Sequence, residues 1–281
     1  MINISIIFVN FNTAKLTCQA IESVIENTDE VLYEIILVDN NSNDNSIELI
    51  TKFFPQVTII KNKKNLGFGR ANNEGIKVAK GKYLFLLNTD TYLLNNAVKV
   101  LFRFMENKKN KNVAVVGGML YKQNLKPNLY AGKFPNYNDF INNSFLHYFF
   151  KKKAFKKTKE YPLVPLSSIE VDYVSGADFF VRKEILDEIG AFDKRFFLYF
   201  EETELCFRIK KKIPNSRCMI EPRAKIVHIS QGSNKKEVKS LRFRKQFLKS
   251  NAIYFKITEG LLWGFLFRLV SLITLYLKKI T

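Results

Sequence analysis

The stretch YLFLLNTDTYLL, residues 83–94, closes an apolar run on two side chains able to coordinate, Asn88 and Asp90. A carboxylate at the carboxyl end of a parallel strand can hold a divalent cation beside a phosphate, because open α/β sheets bind ligands at that edge. The same residues suit an ordinary turn, since Asn, Thr and Asp bond nearby backbone where a strand stops and a helix begins. Other apolar runs also end in polar clusters: Asn10, Phe11, Asn12 and Thr13 after the first, and Asp39, Asn40, Asn41 and Ser42 after the second. The third run is followed by NKKNLGFGRANNEG, residues 62–75. Singly, each cluster is strand termination and helix capping, which is the better reading of Thr13, Ser42 and Asn43. Together they make a polar cleft fit for phosphate. Gly67-x-Gly69 fails as a dinucleotide fingerprint: Asn72 stands at the third glycine position, and the stretch follows the third run instead of the first.

A second acidic group lies in FEETELCFR, residues 200–208. On a helix, Glu202 shares a face with Leu205, Cys206 and Ile209, while Glu201, Glu204 and Arg208 can pair on another. Desolvation on the apolar face would raise the pKa of Glu202 and make it a competent general base, against the opposing pull of the helix amino terminus. Glu201 and Glu204 are the fallback candidates, with a helix-surface salt bridge as the alternative. In VSGADFF, residues 174–180, Gly176 and Ala177 would let backbone approach a sugar, and Asp178 could bond its hydroxyls. A turn is the alternative for the glycine.

The elements that must position these groups alternate strand and helix: strands near 4–9, 34–38, 57–60, 83–87 and 113–116, with helices near 15–26, 46–53, 68–79 and 95–107. Near-continuous apolar strands of this kind make a mainly parallel central sheet covered on both faces, an α/β fold with its ligand at the strands' carboxyl ends. Residues 120–169 read as loops and short elements around a basic run at 151–159. Two short strands are expected around 218–221 and 225–229.

The 281 residues carry 45 Lys and Arg against 26 Asp and Glu, a formal charge of +19 that calls for an anionic partner: nucleic acid, acidic lipid or a phosphorylated substrate. No nucleic-acid recognition motif accompanies the charge, so nucleic acid is not the expected partner. Cys18, Cys206 and Cys218 have no metal-ligand spacing and suit a reducing compartment, and the first apolar run lacks a basic stretch before it, so a cytoplasmic location is expected. A catalytic unit over 1–234 and a basic amphipathic helical tail over 235–281 are expected. GLLWGFLFRLVSLITLYLKK, residues 260–279, is slightly short of the roughly 20 apolar residues that span a bilayer and carries Arg268 in its middle. An in-plane helix on an acidic membrane surface is the first reading, peripheral to the inner face. Packing on the catalytic unit or on a second copy, and insertion, are the alternatives.

SIIFVNFNT, IILVDNNSNDNS, NLGFGRANNEGIKVAKGKYLFLLNTDT, SGADFFVRKEILDEIGAFDKRFFLYFEETELCFRI and IVHISQGS resemble, in order and spacing, the family 2 glycosyltransferases, most closely a rhamnosyltransferase-like branch that builds bacterial surface polysaccharide. The resemblance covers about residues 4–233. It implies a GT-A fold, a nucleotide-sugar donor, Mg²⁺ or Mn²⁺ on the diphosphate and inversion at the anomeric carbon. It makes Asp90 the metal-binding Asp of the D-x-D position with Asn88 in the first slot, Phe11 the ring on the base and Asp39 the carboxylate that bonds it. Asn10, Asn12, Asn41, Gly67, Arg70 and Asn72 fall in the donor-binding blocks, with Arg70 in a loop that approaches the phosphates. His228 matches a late His near the metal or diphosphate, or else is a bonded His at a strand end. Glu202 stands where the family usually has Asp, preceded by Glu201. The implied acceptor is lipid-linked or a nascent polysaccharide, contacted by Gly176, Ala177, Asp178 and Glu204. L-Rhamnose from dTDP-rhamnose is the first donor to try and a UDP-hexose the second. The rivals from other classes are a basic nucleic-acid-binding protein and a family member that binds donor without turnover.

Overall fold

The computed structural model describes residues 2–136, 161, 163–229 and 241–280. The basic run at 151–159 lies outside them, as does the expected boundary at 234/235. The chain begins with β1 (Ile4–Asn10), α1 (Ala14–Asn27), β2 (Tyr33–Asp39), α2 (Ser46–Phe53), β3 (Thr58–Lys61), α3 (Phe68–Val78) and β4 (Tyr83–Leu87). The β-branched and aromatic residues of these strands are largely buried, as expected of a sheet covered on both faces. Strands β3, β2, β1 and β4 lie side by side in that order, each pair parallel, so their carboxyl ends open on one edge. Helix α3 packs close on this sheet because Gly75 has no side chain: a Cβ there would come within 2.6 Å of the Ile7 methyl.

The remainder is β5 (Thr91–Leu93), α4 (Ala97–Glu106), β6 (Val113–Tyr121), β7 (Ala131–Gly132), β8 (Ile169–Val171), β9 (Tyr173–Val174), β10 (Asp178–Arg182), α5 (Lys183–Ile189), α6 (Glu201–Lys212), β11 (Arg217–His228), α7 (Leu241–Thr258) and α8 (Leu261–Ile280). Beyond β4 the nine-stranded sheet becomes mixed, with β10 antiparallel between β4 and β6, and β11 carrying β5 and β8 antiparallel to itself. Two short strands were expected near 218–229; a single strand, β11, runs through both. Its register against β6 slips between Glu221 and Lys225, around Pro222, which cannot donate to a ladder.

One large core fills the sheet layers, and a second, smaller cluster joins Phe196 and Phe200 to Tyr254 and Phe255 of α7 and Phe267 of α8. The carboxyl-terminal helices therefore pack on the segment just before α6. Helix α8 shows its other face: Leu261, Leu262, Phe265, Leu269 and Leu272 are exposed, while Gly264, Phe267 and Ser271 are buried. Among the described residues no helix is long and apolar enough to cross a membrane.

Candidate functional site

At the ends of β1 and β2, Asn10 and Asp39 are register partners, both buried. The Asn10 amide donates to Asp39 Oδ1 at 2.9 Å and to Ser42 Oγ at 2.9 Å, while the Ser42 backbone N–H donates to Asp39 Oδ2 at 3.1 Å. Asn12 and Asn41 hold left-handed backbone, φ 55 and 69, which Asn tolerates better than most side chains. Asn12 Oδ1 accepts from the Asn43 N–H at 2.7 Å, tying the loops after the two strands together. Phe11 stands out beside this network, 44% exposed. The arrangement presents a bonded carboxylate next to an exposed ring, which suits a planar heterocycle.

The network continues inward. Asn10 Oδ1 accepts from Thr13 and Thr17 at 2.8 Å, and Thr13 Oγ1 lies 3.2 Å from Thr89 Oγ1, at the end of β4. Thr89 adjoins Asp90, whose Oδ1 lies 3.2 Å from His228 Nε2. These two meet because β11 pairs with β5, setting His228 opposite Thr91, and the Ile229 N–H donates to the Asp90 carbonyl at 2.9 Å. The turn reading of residues 88–91 also holds: the Asn88 carbonyl accepts from the Thr91 N–H at 3.2 Å.

Among the described residues no three His, Cys, Asp or Glu side chains gather at one point. A divalent ion would thus take two protein donors, the Asp90 carboxylate and the His228 imidazole. Magnesium-type ions at phosphates are commonly held this way, with substrate oxygens and water completing the shell. The Asp90 carboxylate suits magnesium or manganese, whereas imidazole is the more usual ligand of softer ions, so Asp90 is the principal donor. The donor set fits the ion.

Helix α6 begins beside this edge. Glu202 is half-buried, and its carboxyl faces Gly176, where a Cβ would lie 3.6 Å from the Glu202 Cδ and 3.5 Å from the Phe68 ring. Burial raises the Glu202 pKa, and backbone N–H groups, that of Gly176 among them, oppose the rise. The next residue, Ala177, accepts through its carbonyl from the Asn88 N–H at 3.0 Å. One tight turn, residues 175–178, thus links the strand end at Asn88 to the carboxylate on α6.

Other expected site residues stand elsewhere. Glu202 was expected to be the carboxylate on the apolar face, yet Glu201 and Glu204 are the deeply buried pair at 2% exposure each. In the first turn of the helix Glu201, Thr203 and Glu204 are buried and Glu202 alone is partly exposed. Glu204 pairs with Arg208 at 2.9 Å, and Arg208 also donates to the carbonyls of Ile189, Gly190 and Ala191, so Glu204 braces α5 against α6 instead of meeting an acceptor. Glu201 has an oxygen with no hydrogen-bond partner among the described residues, and burial, then neighbouring Glu202, pushes its pKa well up.

Asp178 is fully buried; its Oδ2 accepts from the Gly118 N–H at 2.6 Å, and burial lifts its pKa well above the carboxylate range. It lies inside the sheet, out of reach of an acceptor hydroxyl, because its strand pairs on both sides. Asn72 is likewise buried in α3, its amide donating to the Phe68 carbonyl at 3.2 Å, and so does not line the cleft. Gly67 serves close packing: its φ is 84, and a Cβ would lie 2.1 Å from the Phe197 carbonyl oxygen. Arg70 sits on the first turn of α3 with Nε donating to the Leu66 carbonyl at 2.6 Å.

Asn40, read only as part of a polar cluster, proves a hub. It donates to Asn65 at 2.9 Å and accepts from Asn62 and the Leu66 N–H at 3.2 and 2.9 Å, so it shapes the loop before α3. Four amide side chains near two strand ends were the available signal.

The family model described as glycosyl transferase family 2 matches residues 5–190. The glycosyltransferase GlyG of Streptococcus pneumoniae is 32% identical over 108 residues, 37% of this chain and 36% of that protein. The poly(ribitol-phosphate) beta-N-acetylglucosaminyltransferase TarP of Staphylococcus aureus is 31% identical over 121 residues, 42% of this chain and 36% of that protein. The UDP-Glc:alpha-D-GlcNAc-diphosphoundecaprenol beta-1,3-glucosyltransferase WfaP of Escherichia coli is 31% identical over 107 residues, 38% of this chain and 42% of that protein. Each match thus spans less than half of either protein. In fold, the chain is similar to GalNAc-T7, solved with UDP, GalNAc and Mn²⁺: TM-score 0.63 at 16% identity, covering 92% of this chain and 48% of that one. It is also similar to the mannosyltransferase PcManGT of Pyrobaculum calidifontis, solved with GDP-Man and Mn²⁺: TM-score 0.59 at 14% identity, covering 91% and 64%. The architecture is that of the GT-A glycosyltransferases.

Proposed function

Because the chain belongs to glycosyl transferase family 2, we propose that it moves a sugar from a nucleoside-diphosphate donor to a hydroxyl of a lipid-linked or growing surface polysaccharide, with inversion. The observation that carries this reading is the single turn, residues 175–178, that bonds Asn88, beside Asp90, at one end and Glu202 at the other.

The donor's base stacks on Phe11 and bonds Asp39, whose orientation Asn10 and the Ser42 N–H hold. Asp90 and His228, 3.2 Å apart, are the side chains that would hold Mg²⁺ or Mn²⁺. When bound there, such an ion would supply Lewis-acid stabilisation of the negative charge growing on the departing diphosphate. Glu202 takes the proton of the acceptor hydroxyl as its oxygen bonds to the anomeric carbon on the face opposite the breaking carbon–oxygen bond to phosphate. Glu here, where the family usually has Asp, sets the acceptor one methylene further back.

The relatives' names favour a UDP-hexose over dTDP-rhamnose: they carry glucose and N-acetylglucosamine. The acceptor classes in those names support a polymer or a lipid diphosphate. For such acceptors the exposed apolar stripe of α8, with exposed Arg244, Lys245, Lys249 and Lys256 on α7, favours work at the acidic inner face of a membrane.

The test is a melting-temperature screen of UDP-glucose, UDP-N-acetylglucosamine and dTDP-rhamnose with manganese, followed by transfer assays. A ligand bound only by the folded state raises the melting temperature. Asp90→Ala is expected to erase the manganese-dependent shift and cut transfer about a thousandfold, the equivalent of about 4 kcal/mol of transition-state stabilisation. Full transfer by that variant would refute the assignment.

A further inference from the structure

The backbone that delivers Glu202 is held by a helix that contributes nothing to the catalytic sheet. Tyr199 and Phe200 both have left-handed backbone, φ 71 and 69, immediately before α6. Bulky side chains rarely adopt it, and it persists only where the surroundings enforce it. The enforcing groups come from α7. Ser250, fully buried, donates from Oγ to the Leu198 carbonyl at 2.8 Å. The Phe247 ring lies 5.7 Å from that of Tyr199 and 5.3 Å from that of Phe200, and the Tyr254 ring lies tilted at 5.5 Å from that of Phe200. On the other side the Phe197 carbonyl accepts from the Phe68 N–H at 2.9 Å, so the segment is pinned between α3 and α7. The first turn of α6 starts on the pinned residue, since the Glu204 N–H donates to the Phe200 carbonyl at 2.8 Å.

We propose that Ser250 and Phe247 are positioning residues for the transfer: α7 fixes the left-handed turn, and the turn fixes the direction in which Glu202 meets the acceptor. Among the described residues no hydrogen bond joins the donor-side network of Asn10, Asp39 and Ser42 to α7, so loosening the clamp separates proton removal from donor binding. This inference rests on Glu202 being the base.

The experiment compares Ser250→Ala, Phe247→Ala and the conservative Ser250→Thr in the full chain. Phe247 is 41% exposed, so its truncation empties no core. Three quantities are read: affinity for UDP with manganese, turnover of the nucleotide sugar giving the largest melting shift, and hydrogen exchange of the amides of residues 201–205. The expected result is a kcat loss of about tenfold to a hundredfold in both alanine variants, as for a base displaced by up to an ångström. UDP affinity should stay within twofold, exchange at 201–205 should rise tenfold, and Ser250→Thr should recover most of the turnover. Unchanged kcat, or UDP affinity falling in step with kcat, would overturn the proposal. If the wild type neither binds UDP nor turns over any sugar nucleotide, the reading of the site fails first; the clamp is then judged on exchange alone, and unchanged exchange sinks it.

Discussion

At the ends of β1 and β2 the site is tied by short side-chain hydrogen bonds among Asn10, Asp39, Ser42, Thr13 and Thr89, all on one sheet edge. At the start of α6 it is tied by aromatic rings and one serine from a helix about fifty residues further along, which hold two strained backbone positions. The first kind of construction is local and rigid, because each polar group answers for another's burial. The second is assembled late and from outside the sheet, so it can yield without the donor side yielding. On the proposed function this difference divides the tasks: donor binding and charge neutralisation fall to the sheet edge, proton removal to the packed helix.

The sharpest way to break the comparison is Glu202→Gln. A general base is worth about a hundredfold to ten-thousandfold, so kcat should fall by that factor while UDP affinity stays unchanged. Because burial raises the Glu202 pKa, the acid limb of the wild-type rate profile should lie above the ordinary glutamate value of 4.5, with activity lost as pH falls through it. A profile flat through that region, or a variant at wild-type rate, would move the base elsewhere.

Glu204→Ala sharpens it next. Arg208 would then be left with three carbonyls and no carboxylate, and breaking a buried pair on one side costs about 3–5 kcal/mol. A fall in melting temperature is expected, with kcat per folded molecule kept near wild type; kcat lost at unchanged stability would return Glu204 to the acceptor site.

On the donor side, Asp39→Ala leaves the Asn10 amide and the Ser42 N–H short of an acceptor, a loss of about 1–3 kcal/mol in stability. UDP affinity should fall with it and kcat hardly at all. Equal losses in both halves of the site would erase the distinction drawn above.

How far the sequence foretold this follows the same division. Asn10, Asn12, Asp39 and Asn41 were legible as polar residues at strand ends, but not the Asn10–Asp39 bond or the left-handed backbone of Asn12 and Asn41, which depend on register and turn geometry. The four parallel strands were legible from their unbroken apolar runs, since a strand buried on both faces needs no alternation. Strand β10 between β4 and β6 was not, because nothing in DFFVR distinguishes antiparallel from parallel pairing. The burial of Glu201 and Glu204 was hidden for a related reason: helical periodicity gives faces, whereas what covers each face, as residues 189–191 meet Arg208 beside Glu204, is set by tertiary packing. Tyr199 and Phe200 gave no sign at all, since their backbone is imposed by Phe247, Tyr254 and Ser250.

Asp178, away from the transfer chemistry, bears on stability alone and gives the cleanest sign. Burial holds its pKa well above that of the unfolded chain, so the folded state binds a proton that the unfolded state releases. Its contribution to stability is therefore complete below the unfolded value, 3.8, and is lost as pH rises toward the folded value, about 1.4 kcal/mol for each unit that separates them. Asp178→Asn removes the titration while keeping an oxygen for the Gly118 N–H, so denaturant unfolding at pH 5 and pH 8 should show wild type losing more stability across that interval than the variant. The absolute level of the variant depends on how its amide meets the position of Oδ1, which has no partner among the described residues, but the slope does not. Equal slopes would mean that the carboxyl is ionised in the fold, and an ionised group there would give the sheet beneath Asn88 a second negative charge behind the site proposed for a diphosphate.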